Sequence, residues 1–134
     1  MTRFRRAIAL GVLVGATLWV AGFAAVPRVY SPLGILFFGL IAALYYRVGT
    51  YVALPPRLGP SAAAAALAGV GAGIIAVTWL YLSDSRYPPS LAAWAGSLVL
   101  VIVSQGALGG ILGASAAWMI RRRVRSSSSA QADA

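Results

Sequence analysis

The sequence predicts an all-α integral membrane protein, with four transmembrane helices in an up-down bundle. Four apolar stretches, at residues 7–26, 33–54, 61–82 and 91–120, fill most of the 134-residue chain. Nearly all charged residues lie between or outside these stretches. A helix needs about 20 residues to cross the hydrocarbon core of a bilayer, and each stretch is long enough to do so.

The first stretch has some features of a secretory signal peptide. Basic residues precede it, and small residues stand near its end at positions 22 and 24. Signal peptides have an apolar run of about 7–15 residues, which is shorter than the run at 7–26. We therefore interpret residues 7–26 as the first transmembrane helix.

Proline-containing connections separate the four stretches, at residues 27–32, 55–60 and 83–90. Proline ends a helix because it lacks a backbone N–H and clashes with the preceding turn. Ser61 and Ser90 are predicted to cap the helices that follow them. Connections this short hold neighbouring helices antiparallel.

The fourth stretch is longer than a single crossing requires. A helix over residues 91–120 would measure about 45 Å, so it must tilt, kink near Gly109 and Gly110, or project beyond the membrane. Residues 1–125 are predicted to form the transmembrane domain. Residues 126–134 are rich in Ser and Ala with nothing to bury, which predicts a disordered cytoplasmic tail.

A weak internal repeat links the first and third stretches, since each has a glycine pair followed by a tryptophan. The residues are Gly11, Gly15 and Trp19 in the first stretch, and Gly69, Gly73 and Trp79 in the third. One interpretation is a pair of tandem helical hairpins related by an axis along the membrane normal. Because the alignment needs gaps, chance similarity is the alternative.

The arginines predict the orientation of the chain. Nine lie on the side of both termini, and these are Arg3, Arg5, Arg6, Arg47, Arg57, Arg121, Arg122, Arg123 and Arg125. Only Arg28 and Arg86 lie on the other side. The positive-inside bias then predicts cytoplasmic termini in the plasma (cytoplasmic) membrane of a prokaryote. Aromatic residues near the arginine-rich boundary, including Tyr45 and Trp118, are predicted to anchor at the headgroups.

The amino-acid composition argues against catalytic, cofactor and metal sites. The chain has no His, Cys, Lys or Glu, and its two acidic residues, Asp84 and Asp133, lie outside the apolar stretches. These absences predict no enzyme activity, no catalytic residues, no cofactor and no metal site. The net charge of +9 does not predict nucleic-acid binding, because the arginines flank apolar segments and do not line one soluble face.

Four glycine pairs at a spacing of four residues are the most frequent motif. The pairs are Gly11 with Gly15, Gly69 with Gly73, Gly106 with Gly110, and Gly109 with Gly113. Glycines at this spacing let two helix backbones approach closely in lipid. They predict either packing within this bundle or a docking face for another subunit.

Polar residues within or close to the stretches are the remaining candidates. Ser104 and Gln105 form the only adjacent polar pair deep in a stretch. They are predicted either to join helices of this bundle or to contact a solute or a partner helix. Arg47 and Arg57 are candidates for lipid headgroup contacts, and so are Arg121, Arg122, Arg123 and Arg125.

Three functional hypotheses follow. The first is a non-catalytic accessory or structural subunit that packs against a larger membrane complex or against itself through glycine-rich faces. The second is a small oligomeric channel or transporter with Gln105 near the path, and the third is a lipid-binding protein that uses Arg47 and Arg57. The predicted partners are membrane lipid and another membrane protein or a second copy of the chain, with no nucleic acid.

Overall fold

The computed structural model describes residues 2–25, 32–53, 57–83 and 90–134. These residues form four helices, α1 (Arg3–Ala25), α2 (Pro32–Val52), α3 (Leu58–Ser83) and α4 (Leu91–Ala132). Each helix is long and apolar enough to cross a membrane. The predicted all-α bundle of four transmembrane helices is therefore confirmed. Most of the predicted connections, with Arg28, Asp84 and Arg86, lie outside the described residues.

Consecutive helices run antiparallel. Gly11 faces Val48 of α2, whereas Gly15, one turn later in α1, faces Leu44, one turn earlier in α2. Contacts between α3 and α4 reverse in the same way. The start of α1, the end of α2, the start of α3 and residue 120 of α4 therefore lie at one end of the bundle. We call it the arginine-rich end.

The third helix lies at the centre of the bundle. Both α2 and α3 contact all three other helices, and α3 makes the more extensive contacts, whereas no Cα atom of α1 lies within 8 Å of one in α4 over the described residues. The hairpins α1–α2 and α3–α4 therefore lie side by side. A two-fold axis that exchanged the hairpins would turn the α2–α3 contact into an α4–α1 contact. Over the described residues the helix contacts do not follow this exchange, and the tandem repeat stays a prediction.

Small side chains dominate the core. Ala64, Ala65, Ala68 and Ala72 of α3 are fully buried. Tyr45 of α2 is the largest side chain that is completely buried. Alanine and glycine let backbones approach closely in a membrane, where close packing rather than the hydrophobic effect drives association. This composition explains how α3 contacts three neighbours at once.

Local signals at the helix starts explain the bounds. Ser90 caps α4 as predicted, because its Oγ accepts a hydrogen bond from the Ala93 N–H at 3.4 Å. The predicted cap at Ser61 is wrong, because α3 begins three residues earlier at Leu58. Pro60 is compatible with this start, since a first-turn residue has no intrahelical partner for its N–H. Ser61 is therefore a buried residue inside the first turns of α3.

The fourth helix continues well beyond the bundle. It is helical to Ala132, where the sequence predicts disorder from residue 126 onward. Serine hydroxyls in this segment bond to the preceding turn: Ser126 donates to the Arg123 carbonyl at 2.9 Å, and Ser129 donates to the Arg125 carbonyl at 2.8 Å. Residues 121–134 are all exposed, so α4 projects from the arginine-rich end.

Candidate functional site

The first glycine pair joins α1 to α3. A Cβ atom built on Gly11 would lie 2.7 Å from the Cβ of Ala68, and one on Gly15 would lie 2.9 Å from the Cβ of Ala72. Real Cβ atoms do not approach so closely, so only glycine fits at these two positions. Both residues are used in packing within the bundle.

The second pair, Gly69 and Gly73 of α3, packs against α4. A Cβ on Gly69 would lie 2.8 Å from the backbone oxygen of Gln105 and 3.2 Å from Cζ of Tyr45. A Cβ on Gly73 would overlap the Val101 side chain and lie 3.3 Å from Cγ of Gln105. These glycines therefore make the space that the Gln105 side chain and backbone occupy.

The pair Gly109 and Gly113 brings the backbone of α4 directly onto α3. A Cβ on Gly109 would overlap the carbonyl oxygen of Ala65, and a Cβ on Gly113 would overlap that of Ser61. Gly49 of α2 packs on the same place, where an added Cβ would lie 2.7 Å from the Gly113 Cα. Gly49 has no glycine four residues away in the sequence, because its glycine partner lies on another helix, and the spacing motif therefore did not reveal it.

The pair Gly106 and Gly110 differs from the other three. A Cβ on Gly106 would lie 3.4 Å from Cγ2 of Val70, and one on Gly110 would lie 4.0 Å from the Cβ of Ala66. Both distances are ordinary van der Waals contacts, and both glycines are only half-buried. This pair therefore lies at the edge of the α3–α4 contact, open to the surroundings of the bundle.

These two glycines belong to a longer row of small and β-branched residues on α4. Its members are spaced alternately four and three residues apart, and they are Ala92, Gly96, Val99, Val103, Gly106 and Gly110. We call this row the α4 seam. Val99 is 63% exposed and Val103 is 65% exposed, and a Cβ on Gly96 would meet nothing within 4 Å. The seam is therefore uncovered along most of its length.

The polar pair Ser104 and Gln105 is divided between two environments. Gln105 is 8% exposed, and its Oε1 accepts a hydrogen bond from the Tyr45 hydroxyl at 2.9 Å. Ser104 is exposed and donates to the carbonyl of Val101 in its own helix at 3.4 Å. The bond between Tyr45 and Gln105 joins α2 to α4, and bonds of this kind contribute about 0.6 kcal/mol, up to about 1.7.

Tyr45 is the principal residue whose role the sequence misassigned. It was predicted to anchor at the headgroups, but its side chain is completely buried and bonded to Gln105. The sequence Tyr45-Tyr46-Arg47 has the composition of a segment at the membrane boundary. This composition gave no indication that the Tyr45 side chain is directed into the bundle. Its spacing of four residues from Ile41, which is also buried, was the available signal.

The candidate arginines lie on the surface of the arginine-rich end. Arg47 and Arg57 are exposed, and neither has a carboxylate partner among the described residues. Arg122 stacks over the Trp118 ring, with its Cζ 4.7 Å from the ring centroid. Such a contact contributes about 0.5–1 kcal/mol at an exposed site. It holds the second basic side chain on the projecting part of α4.

Comparison with protein-family models, curated proteins and solved structures found no match for this chain.

Proposed function

We propose that this chain is a non-catalytic assembly subunit in a membrane, and that it binds a transmembrane helix along the α4 seam. The observation that carries the proposal is the division of the glycine pairs. Three pairs are used within the bundle, whereas Gly106 and Gly110 stay open in a seam of small residues.

The spacing of the seam supports a helix as its occupant. Residues spaced alternately four and three apart form a continuous line along a helix, and two such lines pack side by side at a small crossing angle. Small residues on the line let the two backbones approach closely in lipid. Ala66 and Val70 of α3 flank the seam, so a partner helix would contact α3 as well as α4.

The fraction of residues buried by the rest of the chain also favours α4 as the helix that binds a partner. In the membrane-spanning window of α3, 44% of the residues are buried, compared with 11% in α4. Lipid covers an apolar surface without difficulty, so exposure alone does not favour a partner. Exposure combined with a row of small residues does, because lipid chains gain little from contacts that a second backbone can make.

The channel alternative receives less support. Gln105, the residue proposed near a path, is buried, bonded to Tyr45 and packed over Gly69. A path through one copy would have to break this arrangement. The lipid-binding alternative is compatible with the exposed positions of Arg47 and Arg57, and we retain it as a contribution to anchoring.

The orientation and membrane are part of the proposal. The arginine excess supports a cytoplasmic arginine-rich end, in the plasma membrane of a prokaryote. The projecting part of α4 would then extend into the cytoplasm with its four arginines. No enzyme activity is proposed, because the spans carry no acid or imidazole that could act as a general base.

The test compares three versions of the full chain after gentle extraction from the source membrane. The wild type is expected to retain a protein partner or a second copy at fixed stoichiometry in native mass spectrometry. Adding bulk to the seam with Gly96→Leu and Gly110→Leu together should lower the retained fraction about tenfold or more, which corresponds to about 1.4 kcal/mol of association free energy.

Gly39→Leu is the matched control for this test. Gly39 of α2 is exposed, and a Cβ there would meet nothing within 4 Å. This variant adds the same side chain to a lipid-facing glycine, so it should retain the partner like the wild type. A wild-type chain that is monomeric and alone, or equal retention by all three versions, would contradict the proposal.

A further inference from the structure

The glycine contacts show how the helices are aligned along the bundle axis. Gly11 of α1 faces Ala68 of α3, and the next residue of α3, Gly69, faces the backbone of Gln105 in α4. Since α1 and α4 run in opposite directions, Gly11 lies level with about residue 106 of α4. The position of any residue of α1 can therefore be compared with a position in α4.

The apolar part of α1 marks the edge of the hydrocarbon at the arginine-rich end. Helix α1 has no charged residue from Ala7 to Ala25, and this segment measures about 28 Å, which matches a hydrocarbon core of about 30 Å. Arg6, five residues before Gly11, therefore lies in the headgroup layer. It is level with about residue 111 of α4.

Helix α4 carries its basic residues well beyond this level. They are Arg121, Arg122, Arg123 and Arg125, which we call the α4 arginines. They lie about 15–21 Å past residue 111 along the helix axis, and a tilt of about 20° changes this height little. A headgroup layer is about 5–8 Å thick, so the α4 arginines stand about 7–16 Å above it. This height is about one to two Debye lengths, so salt screens most of their attraction to lipid headgroups.

Three of the α4 arginines share one face of the helix with a tryptophan. Each residue turns a helix by about 100°, so four side chains fall within about 100° of one another, those of Trp118, Arg121, Arg122 and Arg125. We call these residues the Trp–Arg face. Arg123 points to the opposite side of the helix. Trp118 is 47% exposed, and Arg122 stacks over its ring at 4.7 Å.

The described residues supply no counter-charge to this face. The α4 arginines are exposed, and none has an ion pair with a described residue. Arg121 and Arg125 are four residues apart, where like charges destabilise a helix by about 0.2–0.5 kcal/mol. A partner that presents carboxylates would remove this repulsion.

We propose that the Trp–Arg face is a docking site for an acidic segment of a protein in the aqueous phase at the arginine-rich end. A guanidinium group binds a carboxylate through two parallel hydrogen bonds, and tryptophan and arginine are the residues that most often dominate protein–protein binding. The face is separate from the α4 seam, which ends at Gly110 within the membrane-spanning part. The α1 arginines, Arg3, Arg5 and Arg6, remain near the lipid headgroups.

The first test measures binding of fluorescent poly-L-glutamate, an acidic polypeptide, to the full chain in nanodiscs of zwitterionic phosphatidylcholine at physiological salt. Replacing Arg121, Arg122 and Arg125 together by Gln should weaken binding about tenfold or more. The matched control replaces the three α1 arginines by Gln. It removes the same charge from the headgroup layer and should weaken binding about twofold or less. Equal losses in the two variants would overturn the proposal, because net charge alone would then explain binding.

Single substitutions test whether one face of the helix is used. Arg125→Gln should weaken poly-L-glutamate binding about threefold, whereas Arg123→Gln, which removes the same charge from the opposite side, should have less than half that effect. Equal effects of the two substitutions would contradict the assignment of the site to the Trp–Arg face.

A depth measurement distinguishes a protein ligand from anionic lipid. The chain has no cysteine, so Ser128→Cys and Ser104→Cys each carry one spin label. A label at 128 should collide with a water-soluble nickel complex, and a label at 104, within the span, should collide with oxygen dissolved in lipid. We expect the same result in nanodiscs with about 30% anionic phosphatidylglycerol. Loss of water exposure at 128 in these nanodiscs would show that the segment lies on lipid, and would overturn the proposal.

Discussion

Two glycine pairs in α4 overlap in sequence yet face different surroundings. Gly109 and Gly113 press the α4 backbone onto the carbonyl oxygens of Ala65 and Ser61, where no Cβ atom fits. Gly106 and Gly110 lie at the edge of the α3–α4 contact, where a Cβ atom would make only ordinary van der Waals contacts. A rotation of about 60° around the helix axis separates the two pairs, since each residue turns the helix by about 100°. The same motif therefore packs α4 onto α3 at one pair and leaves the other pair at the edge of that contact.

The comparison shows why a glycine motif alone does not identify an interface. The motif allows close approach, but whether the approaching helix belongs to the same chain depends on tertiary structure. In this bundle α3 packs on Gly109 and Gly113, the inner pair, whereas Gly106 and Gly110, the outer pair, are only half-buried among the described residues. Substitutions at the two pairs should therefore have different effects on stability.

The largest effect is expected at the inner pair. Gly109→Leu would force its Cβ into the Ala65 backbone, and a backbone cannot move aside as a flexible side chain can. Overpacking costs about 1–3 kcal/mol and sometimes more, and we expect a loss of about 3 kcal/mol or greater in unfolding free energy. Reversible unfolding in detergent micelles measures it. A variant as stable as the wild type would show that α3 and α4 do not pack as described.

The outer pair should tolerate the same substitution within the isolated bundle. A Cβ on Gly106 would make only an ordinary contact with Val70, so Gly106→Leu should change the unfolding free energy by no more than about 0.5 kcal/mol. The same unfolding measurement applies, with Gly39→Leu as the lipid-facing control. Equal destabilisation by Gly106→Leu and Gly109→Leu would remove the distinction between the two pairs.

The buried hydrogen bond gives an intermediate effect. Tyr45→Phe removes the hydroxyl that donates to Gln105 at 2.9 Å, and we expect a loss of about 0.6 kcal/mol, up to about 1.7. The cycle of Tyr45→Phe, Gln105→Met and the double variant isolates the pairwise free energy. Additive single effects would mean that the bond contributes nothing to stability.

The projecting part of α4 should have the smallest influence on the bundle. Ser127→Pro removes a backbone N–H and clashes with the preceding turn, so residues 121–132 should lose helix while the bundle keeps its unfolding temperature. Circular dichroism reports both quantities in one experiment. A lowered unfolding temperature would show that the exposed segment is coupled to the transmembrane part.

Much of the fold could be predicted from the sequence, because span length and proline placement are local signals. The four helices, their antiparallel order and the cap at Ser90 are of this kind. The early start at Leu58 was missed because Pro60 was interpreted as a stop, although proline is tolerated in a first turn. The helical segment after residue 125 was missed because composition says nothing about hydroxyls that bond to their own helix.

The candidate sites were less predictable, because they depend on which helices become neighbours. Gln105 was singled out, but its partner Tyr45 lies 60 residues away and carries no signal of the pairing. The glycine pairs were all identified, but their separation into inner and outer pairs follows from the position of α3. Hydropathy cannot supply that position, because each of the four helices contains an apolar window long enough to cross a membrane.

Site-directed cross-linking tests whether the α4 seam contacts a partner helix. The chain has no cysteine, so Gly96→Cys, Gly110→Cys and Gly39→Cys each provide one unique attachment point for a photoactivatable cross-linker. In native membranes we expect one discrete cross-linked product from positions 96 and 110 and none from position 39. Its mass distinguishes a second copy of the chain from a different protein. Cross-linking to lipid alone at all three positions would contradict the claim.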